Sequence, residues 1–326
     1  MKTIQSVAGP IDVASLGKTL IHEHFLFGYP GWEGDASVAG QFDYKACIQA
    51  GLQMAEKVKA HGVKTIVDAT PNDMGRNPTL LKEIAEKSGL NIICASGYYS
   101  EAEGASPYFK AWSKFGDGVK QIYDVFKKET TEGIGATRIK SGVLKLASSK
   151  GIITDYERMF FKAAALVSQE EGIPIVTHTE EGTQGLEQTD LLLSAGVDPK
   201  RIMIGHICGS TNMEYLLSIL EKGVYIGFDR FGIEGIAGTP KDSRREACLI
   251  GLLGMGYTSQ IMISHDWVNY WLGRQGVSAI ISIVMPNWKP THLFEDVLPI
   301  LEKAGVKADQ VESMLNENPR RFFAGS

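Results

Sequence analysis

An apolar run near the N-terminus ends in Thr19-Leu20-Ile21-His22-Glu23-His24. Side chains alternate between faces on an extended strand, so imidazoles at i and i+2 lie on one side and can reach a single ion. A His-x-His pair also arises by coincidence in a strand. The rest of the chain has to choose between these two readings.

Working outward, the pair closes the first of eight short β-rich runs, at 18–24, 63–69, 91–96, 142–147, 173–178, 201–206, 224–229 and 260–265. Amphipathic segments follow them at about 44–61, 78–88, 117–131, 154–171, 185–195, 212–222, 242–255 and 291–303. Eight successive βα units predict an α/β protein, a single (β/α)8 TIM barrel domain over residues 1–326 with its site at the C-terminal mouth. Gly62, Gly89, Gly172, Gly223 and Gly305 each close a helical segment, Thr154-Asp155-Tyr156-Glu157 reads as a capping box, and Asp242-Ser243 reads as another helix start. Val311, Met314 and Leu315 place a last helix over 309–323. No linker or low-complexity tract suggests a second domain.

The composition is that of an ordinary globular chain: 326 residues, 44% hydrophobic, 22% charged, net charge -5. That balance, without a basic stripe, argues against nucleic acid or an anionic membrane surface as partner. The stretch from Met1 to Val7 lacks a signal peptide's apolar segment, and no run reaches the ~18 apolar residues of a membrane span, so a cytoplasmic protein is expected. Cys47, Cys94, Cys208 and Cys248 are scattered without Cys-x-x-Cys spacing, which predicts buried free thiols.

Of seven histidines, His22, His24, His178, His206 and His265 fall at the ends of candidate strands, leaving His61 at a helix terminus and His292 inside a helical pattern. Imidazole and carboxylate donors without thiolates suit a catalytic divalent cation. Four histidines with Asp266 exceed what one ion with an open position takes, which points to two ions about 3.5–4 Å apart with a hydroxide between them. Such a pair needs an anionic bridge. Strand four, Gly142-Val143-Leu144-Lys145-Leu146-Ala147, has no carboxylate, but alternation turns Val143, Lys145 and Ala147 into the barrel. Lys145 is then either a barrel lysine paired with a carboxylate or a neutral amine that has captured carbon dioxide as a bridging carbamate. An ammonium beside two cations is disfavoured.

Two connections are unusually long. Residues 97–116 carry Tyr98, Tyr99, Tyr108, Phe109 and Trp112, and residues 266–290 carry Trp267, Tyr270, Trp271 and Trp288. Both follow strands and so lie at the mouth, predicting an apolar substrate pocket. Packing of the loops on each other or at a subunit interface is the alternative.

Taken together, these residues resemble the phosphotriesterase family of the amidohydrolase superfamily. The resemblance rests on Thr-Leu-Ile-His22-Glu-His24, Gly-Val-Leu-Lys145-Leu-Ala, Ile-Val-Thr-His178-Thr, Ile-Gly-His206 and Ile-Ser-His265-Asp266. It extends through Thr183-Gln184-Gly185-Leu186-Glu187-Gln188, Gly196-Val197-Asp198-Pro199, Phe294-Glu295-Asp296 and Glu317-Asn318-Pro319-Arg320-Arg321-Phe322-Phe323.

The resemblance implies that His22, His24 and Asp266 hold one metal and His178 and His206 the other, with carbamylated Lys145 and a hydroxide bridging them. Asp266 and Lys145 become the catalytic residues, Asp266 taking the proton of the attacking hydroxide. Two divalent ions are implied, zinc first, with cobalt, manganese or iron as substitutes, and so is a homodimer. Phe228-Asp229-Arg230-Phe231-Gly232 is similar to the Asp-Arg-Tyr-Gly segment of the phosphotriesterase-like lactonases, with Phe231 in place of tyrosine. Tyr99 falls where those lactonases carry a mouth tyrosine, and Tyr99, Arg230 and Trp267 are expected to contact substrate. The implied activity is hydrolysis of a small-molecule lactone, acyl-homoserine or alkyl-substituted, with promiscuous organophosphate triesterase activity. A dedicated phosphotriesterase (aryldialkylphosphatase), or a hydrolase of another ester or amide, is the alternative. Residues 100–115 and 268–286 depart from the lactonase pattern and leave substrate size open. Glu23, facing away from the pair, is expected to be structural.

Overall fold

The computed structural model describes residues 2–236, 238–274 and 276–326. Strands β1 (Thr3–Ser6) and β2 (Gly9–Asp12) form an antiparallel hairpin. Eight parallel strands follow: β3 (Lys18–Glu23), β4 (Val63–Asp68), β5 (Asn91–Gly97), β6 (Val143–Ser148), β7 (Ile175–Thr179), β8 (Ile202–Ile204), β9 (Tyr225–Phe228) and β10 (Ile261–Ile263). They lie in sequence order, and the two edges meet where His24 N donates to Trp267 O at 2.8 Å and Asp266 N to His22 O at 3.1 Å. The architecture is the expected (β/α)8 barrel.

Alternation along the strands builds two cores. Leu20, Ile66, Ile92, Leu144, Ile175, Ile204, Ile226 and Ile263 pack outward in the layer shared with the helices. Ile21, Val67, Ile93, Val143, Val176, Met203, Tyr225 and Met262 fill the barrel. In β3 this phase breaks: Leu20 pairs with Ile66 but Glu23 with Asp68, so one extra residue is inserted. A bulge bends the strand and re-aims its side chains. Here it lets Ile21 and His22 both face inward, whereas a regular strand with Ile21 inside would turn His22 and His24 outward.

The hairpin plugs the barrel floor, where Ile4, Val13 and Leu16 join Phe322 and Phe323 from the C-terminal helix. Its four-residue strands were not anticipated from sequence. The capping box at Thr154 forms as expected, with Glu157 N donating to Thr154 Oγ1 at 3.2 Å and Thr154 N to Glu157 Oε2 at 2.9 Å. Asp242 does not cap its helix. Lys241 holds the cap position, and the Asp242 carboxylate instead accepts from Gly232 N at 2.8 Å, His292 Nε2 at 2.8 Å and Arg245 Nη1 at 2.5 Å. It ties the loop after β9 to the segment after β10.

The helix expected over 291–303 is a π turn, Leu293–Val297, running into Leu298–Lys303. The helix expected over 309–323 is likewise Ala308–Glu312, a π turn at Ser313–Glu317, and Asn318–Ala324. Each π turn precedes a proline, Pro299 or Pro319, whose missing N–H removes one i→i−4 bond. The long connections carry helices of their own, Ser106–Trp112 and Val277–Val284. All four cysteines are buried and free. Among the described residues, no helix is long and apolar enough to cross a membrane.

Candidate metal centre

At the C-terminal ends of the strands, Asp266 sits among three imidazoles. Its Oδ1 lies 3.0 Å from His24 Nε2 and 3.7 Å from His22 Nε2, while Oδ2 lies 3.5 Å from His206 Nε2 and accepts from Arg230 Nε at 2.9 Å. Ligand atoms of His22, His206 and Asp266 all fall within 4.8 Å of one another. Both His206 (φ 58) and Asp266 (φ 55) adopt the left-handed region, a strain that persists in non-glycine residues where the surrounding structure over-determines them.

The far nitrogens of these rings are fixed. His22 Nδ1 lies 2.9 Å from Asp229 Oδ2 and His206 Nδ1 lies 3.0 Å from Asp229 Oδ1, so one carboxylate accepts both N–H groups. His24 Nδ1 lies 2.8 Å from Thr70 Oγ1. That hydroxyl donates onward to Leu26 O at 3.2 Å and therefore accepts from the ring. The three Nε2 lone pairs are left pointing into the cavity. His178 is held the other way round: its Nε2–H donates to Glu180 Oε2 at 2.8 Å, leaving the lone pair on Nδ1, and its ring packs on His206 with centroids 4.7 Å apart.

Lys145 is buried on β6 with Nζ 2.9 Å from His22 Nε2 and 3.5 Å from Thr177 O. Among the described residues it makes no ion pair with a carboxylate, so the paired-lysine reading lacks its partner. Burial lowers its ammonium to about 7, against the pull of Asp266 and Asp229. Burial also lowers His22 and His206, and His178 to about 4, keeping the rings neutral. It works against the Asp266 carboxylate, yet the Arg230 guanidinium, 2.9 Å from Oδ2, holds that group well below its ordinary value. Neutral imidazoles with inward lone pairs, an ionised carboxylate and an amine able to shed its proton fit a divalent cation centre.

Above this base opens a cavity of about 230 Å³. Its walls are Phe27 and Tyr29 after β3, Tyr99 after β5, Arg230, Ile233 and Ile236 after β9, and Val268, Trp271, Ile281, Met285 and Trp288 after β10. The contribution of the first loop was not anticipated. Of the aromatics in 97–116, Tyr99 reaches the cavity, its hydroxyl 3.5 Å from His178 Nε2. Tyr98 and Phe109 pack on Phe160 instead, and Tyr108 and Trp112 are exposed. Trp267 stands outside the lining, edge-on to Trp288 at 5.3 Å between centroids.

His265 follows β10 yet stays out of the centre, with Nδ1 2.8 Å from Glu23 Oε1 and Nε2 accepting from Leu293 N at 3.0 Å. Glu23 also accepts from Ser264 Oγ and Trp267 N, splinting the first strand to the last. The residue that sequence reading passed over is Asp229. Its only signal was a carboxylate at the end of the seventh strand. Replacing it with asparagine removes an anion that accepts two ring N–H groups, and metal affinity is expected to fall about 10–100-fold. Chelator competition on a variant with unchanged circular dichroism measures this, and unchanged affinity would refute the role.

The phosphotriesterase family model matches residues 2–323. An aryldialkylphosphatase from Saccharolobus solfataricus is 31% identical over 319 residues, covering 96% of this chain and 97% of the relative. The organophosphorus hydrolase from Deinococcus radiodurans superposes with a TM-score of 0.96 at 47% identity, covering 99% of this chain and 97% of that one. A structure from the molecular engineering of organophosphate hydrolysis activity from a weak promiscuous lactonase template also superposes at 0.96, with 45% identity and coverage of 98% and 99%. This chain is a metal-dependent hydrolase and belongs to the phosphotriesterase family.

Proposed function

We propose that residues 1–326 form one hydrolase domain with a binuclear metal centre, acting on lactones that carry an acyl or alkyl tail, with organophosphate triester hydrolysis as a slower side activity. The observation that carries this reading is the division of a single cavity into a floor of metal-type donors and walls that are mostly aromatic and aliphatic. A polar ring placed at the floor would leave its tail against the Phe27, Ile233, Trp271 and Ile281 side of the wall. A relative built from a weak promiscuous lactonase template favours the same choice.

In this reading His22, His24 and Asp266 hold one ion and His178 and His206 the other, zinc first, with cobalt, manganese or iron able to replace it. Such ions supply Lewis acidity and ready deprotonation of water at neutral pH. Lys145, as the neutral amine, would add to carbon dioxide with release of a proton, and the carbamate would supply an anionic ligand to the metal centre. Asp266 accepts the proton released as water attacks the lactone carbonyl; the ring C–O bond then breaks and the leaving alkoxide takes up that proton, while Arg230 keeps the carboxylate aimed. Arg230 spends Nε on Asp266 and retains its terminal nitrogens for the substrate. Burial raises the Tyr99 hydroxyl well above its ordinary value, so it remains a hydrogen-bond donor at the rim.

Metal-reconstituted protein should turn over undecanoic and acyl-homoserine lactones with a kcat/KM at least about a hundredfold above that for paraoxon. The reverse order would make it a dedicated phosphotriesterase. Arg230→Ala and Tyr99→Phe should each lower lactone kcat/KM more than twofold, and Trp267→Phe less, because Trp267 stands behind the lining. Equal effects of all three would remove this assignment. A cytoplasmic homodimer belongs to the same reading: Tyr108, Trp112 and Phe115 are exposed apolar groups that a second copy would cover.

A further inference from the structure

The barrel floor, on the face opposite the metal centre, holds a second cavity of about 360 Å³. Lys2 and Gln5 from the hairpin, Lys140 before β6, Glu171 before β7 and Arg201 before β8 line it. Three cations meet one carboxylate there, and Glu171 is already engaged by Lys127. Among the described residues none of Lys2, Lys140 and Arg201 makes an ion pair. Arg201 Nη1 donates to the carbonyl of Gly172, and Asp198 partly offsets the burial of the guanidinium without forming an ion pair with it.

The backbone around these charges is closely packed. Gln5 O lies so close against Gly142 that a Cβ there would overlap it, and the Arg201 guanidinium is wedged against Gly325, where a Cβ would overlap it too. Val7 N donates to Ile92 O at 2.9 Å and anchors the hairpin carrying Lys2 to the sheet. Burial and the nearby Arg201 both push the Lys2 ammonium down, with Asp198 as the partial offset. Lys2 and Arg201 repel each other across the cavity, and a multivalent oxyanion would remove that repulsion while accepting charge-assisted hydrogen bonds.

We propose that this floor cavity is a binding site for a phosphate-class dianion, either free phosphate or a small phosphate monoester, held by Lys2, Lys140 and Arg201. The proposal is independent of which ester the metal centre hydrolyses. Inorganic phosphate and glycerol phosphate are titrated separately into the metal-reconstituted protein, with chloride at equal ionic strength as control, and Tm and binding heat are recorded. The expected result is a saturable Tm rise of about 2–4 °C in the wild type. The rise is lost in the Lys2→Ala/Lys140→Ala variant and kept in Lys140→Arg. Hydrolytic kcat/KM, and any inhibition by phosphate at the metal centre, should be the same in all three proteins. A stronger response to glycerol phosphate would identify the monoester as the ligand, and a response to inorganic phosphate alone the free anion. The proposal is overturned if phosphate does no more than chloride. It is equally overturned if the double alanine variant responds like the wild type, which would place the anion at the metal centre.

Discussion

Asp266→Asn is expected to lower kcat/KM about a thousandfold for lactone and phosphotriester alike, within the range for loss of a positioned proton acceptor. Asparagine matches aspartate in shape and tolerates the left-handed backbone that Asp266 occupies at φ 55, so the fold should persist. On the proposed reading three things are lost with the charge: a ligand oxygen beside His24 and His22, the proton acceptor, and the anionic partner of Arg230. Metal analysis and circular dichroism alongside kinetics separate these effects. A variant that keeps its metals and more than a tenth of wild-type activity would rule out Asp266 as the proton acceptor.

Lys145→Met is the second change with a large expected effect. Methionine fills the buried volume on β6 but offers no nitrogen, so metal content should fall below two ions per chain and hydrolysis by about a thousandfold or more. The wild-type lysine also predicts a pH dependence. Its ammonium is lowered to about 7, so it is protonated and inert toward carbon dioxide below that pH and a free amine above it. The imidazoles of His22, His178 and His206 are lowered too and lose their protons at more acidic pH. Reconstitution of metal-free protein should therefore be half-maximal near pH 7 and accelerate with added bicarbonate. Isotope-labelled bicarbonate should give a carbamate signal in the wild type that Lys145→Met lacks. Reconstitution indifferent to bicarbonate at every pH would remove the carbamate from the mechanism.

The barrel was legible because its information is local. Short apolar runs and helical spacing repeat eight times, five of the helical segments end on a glycine, and the order of the units leaves few topologies. The donor types were legible because barrel enzymes place chemistry at strand ends, where His22, His24, His178, His206 and Asp266 stand out against apolar neighbours. Asp242 shows the limit of such reasoning. Its helix-start position is genuine, yet a buried histidine, a buried arginine and a loop N–H compete for the carboxylate and win. Trp267 and Trp288 show the same limit in the loops, where aromatic content announced a wall but could not say which indole would face the cavity.

For His22 and His24, sequence alone settles that they share a face, because alternation is a property of any strand. Which face they share is a tertiary fact. The extra residue of β3 against β4 turns them inward together with Ile21, and that offset follows from pairing with a strand some forty residues away. The tautomers of His22 and His206 are likewise set by one carboxylate, Asp229, about two hundred residues from the first ring and on another strand end. The chain's own order of residues names the candidate donors and the barrel that gathers them. Their aim, their protonation and the pocket above them depend on contacts between segments far apart in sequence, and only the packed barrel brings those segments together.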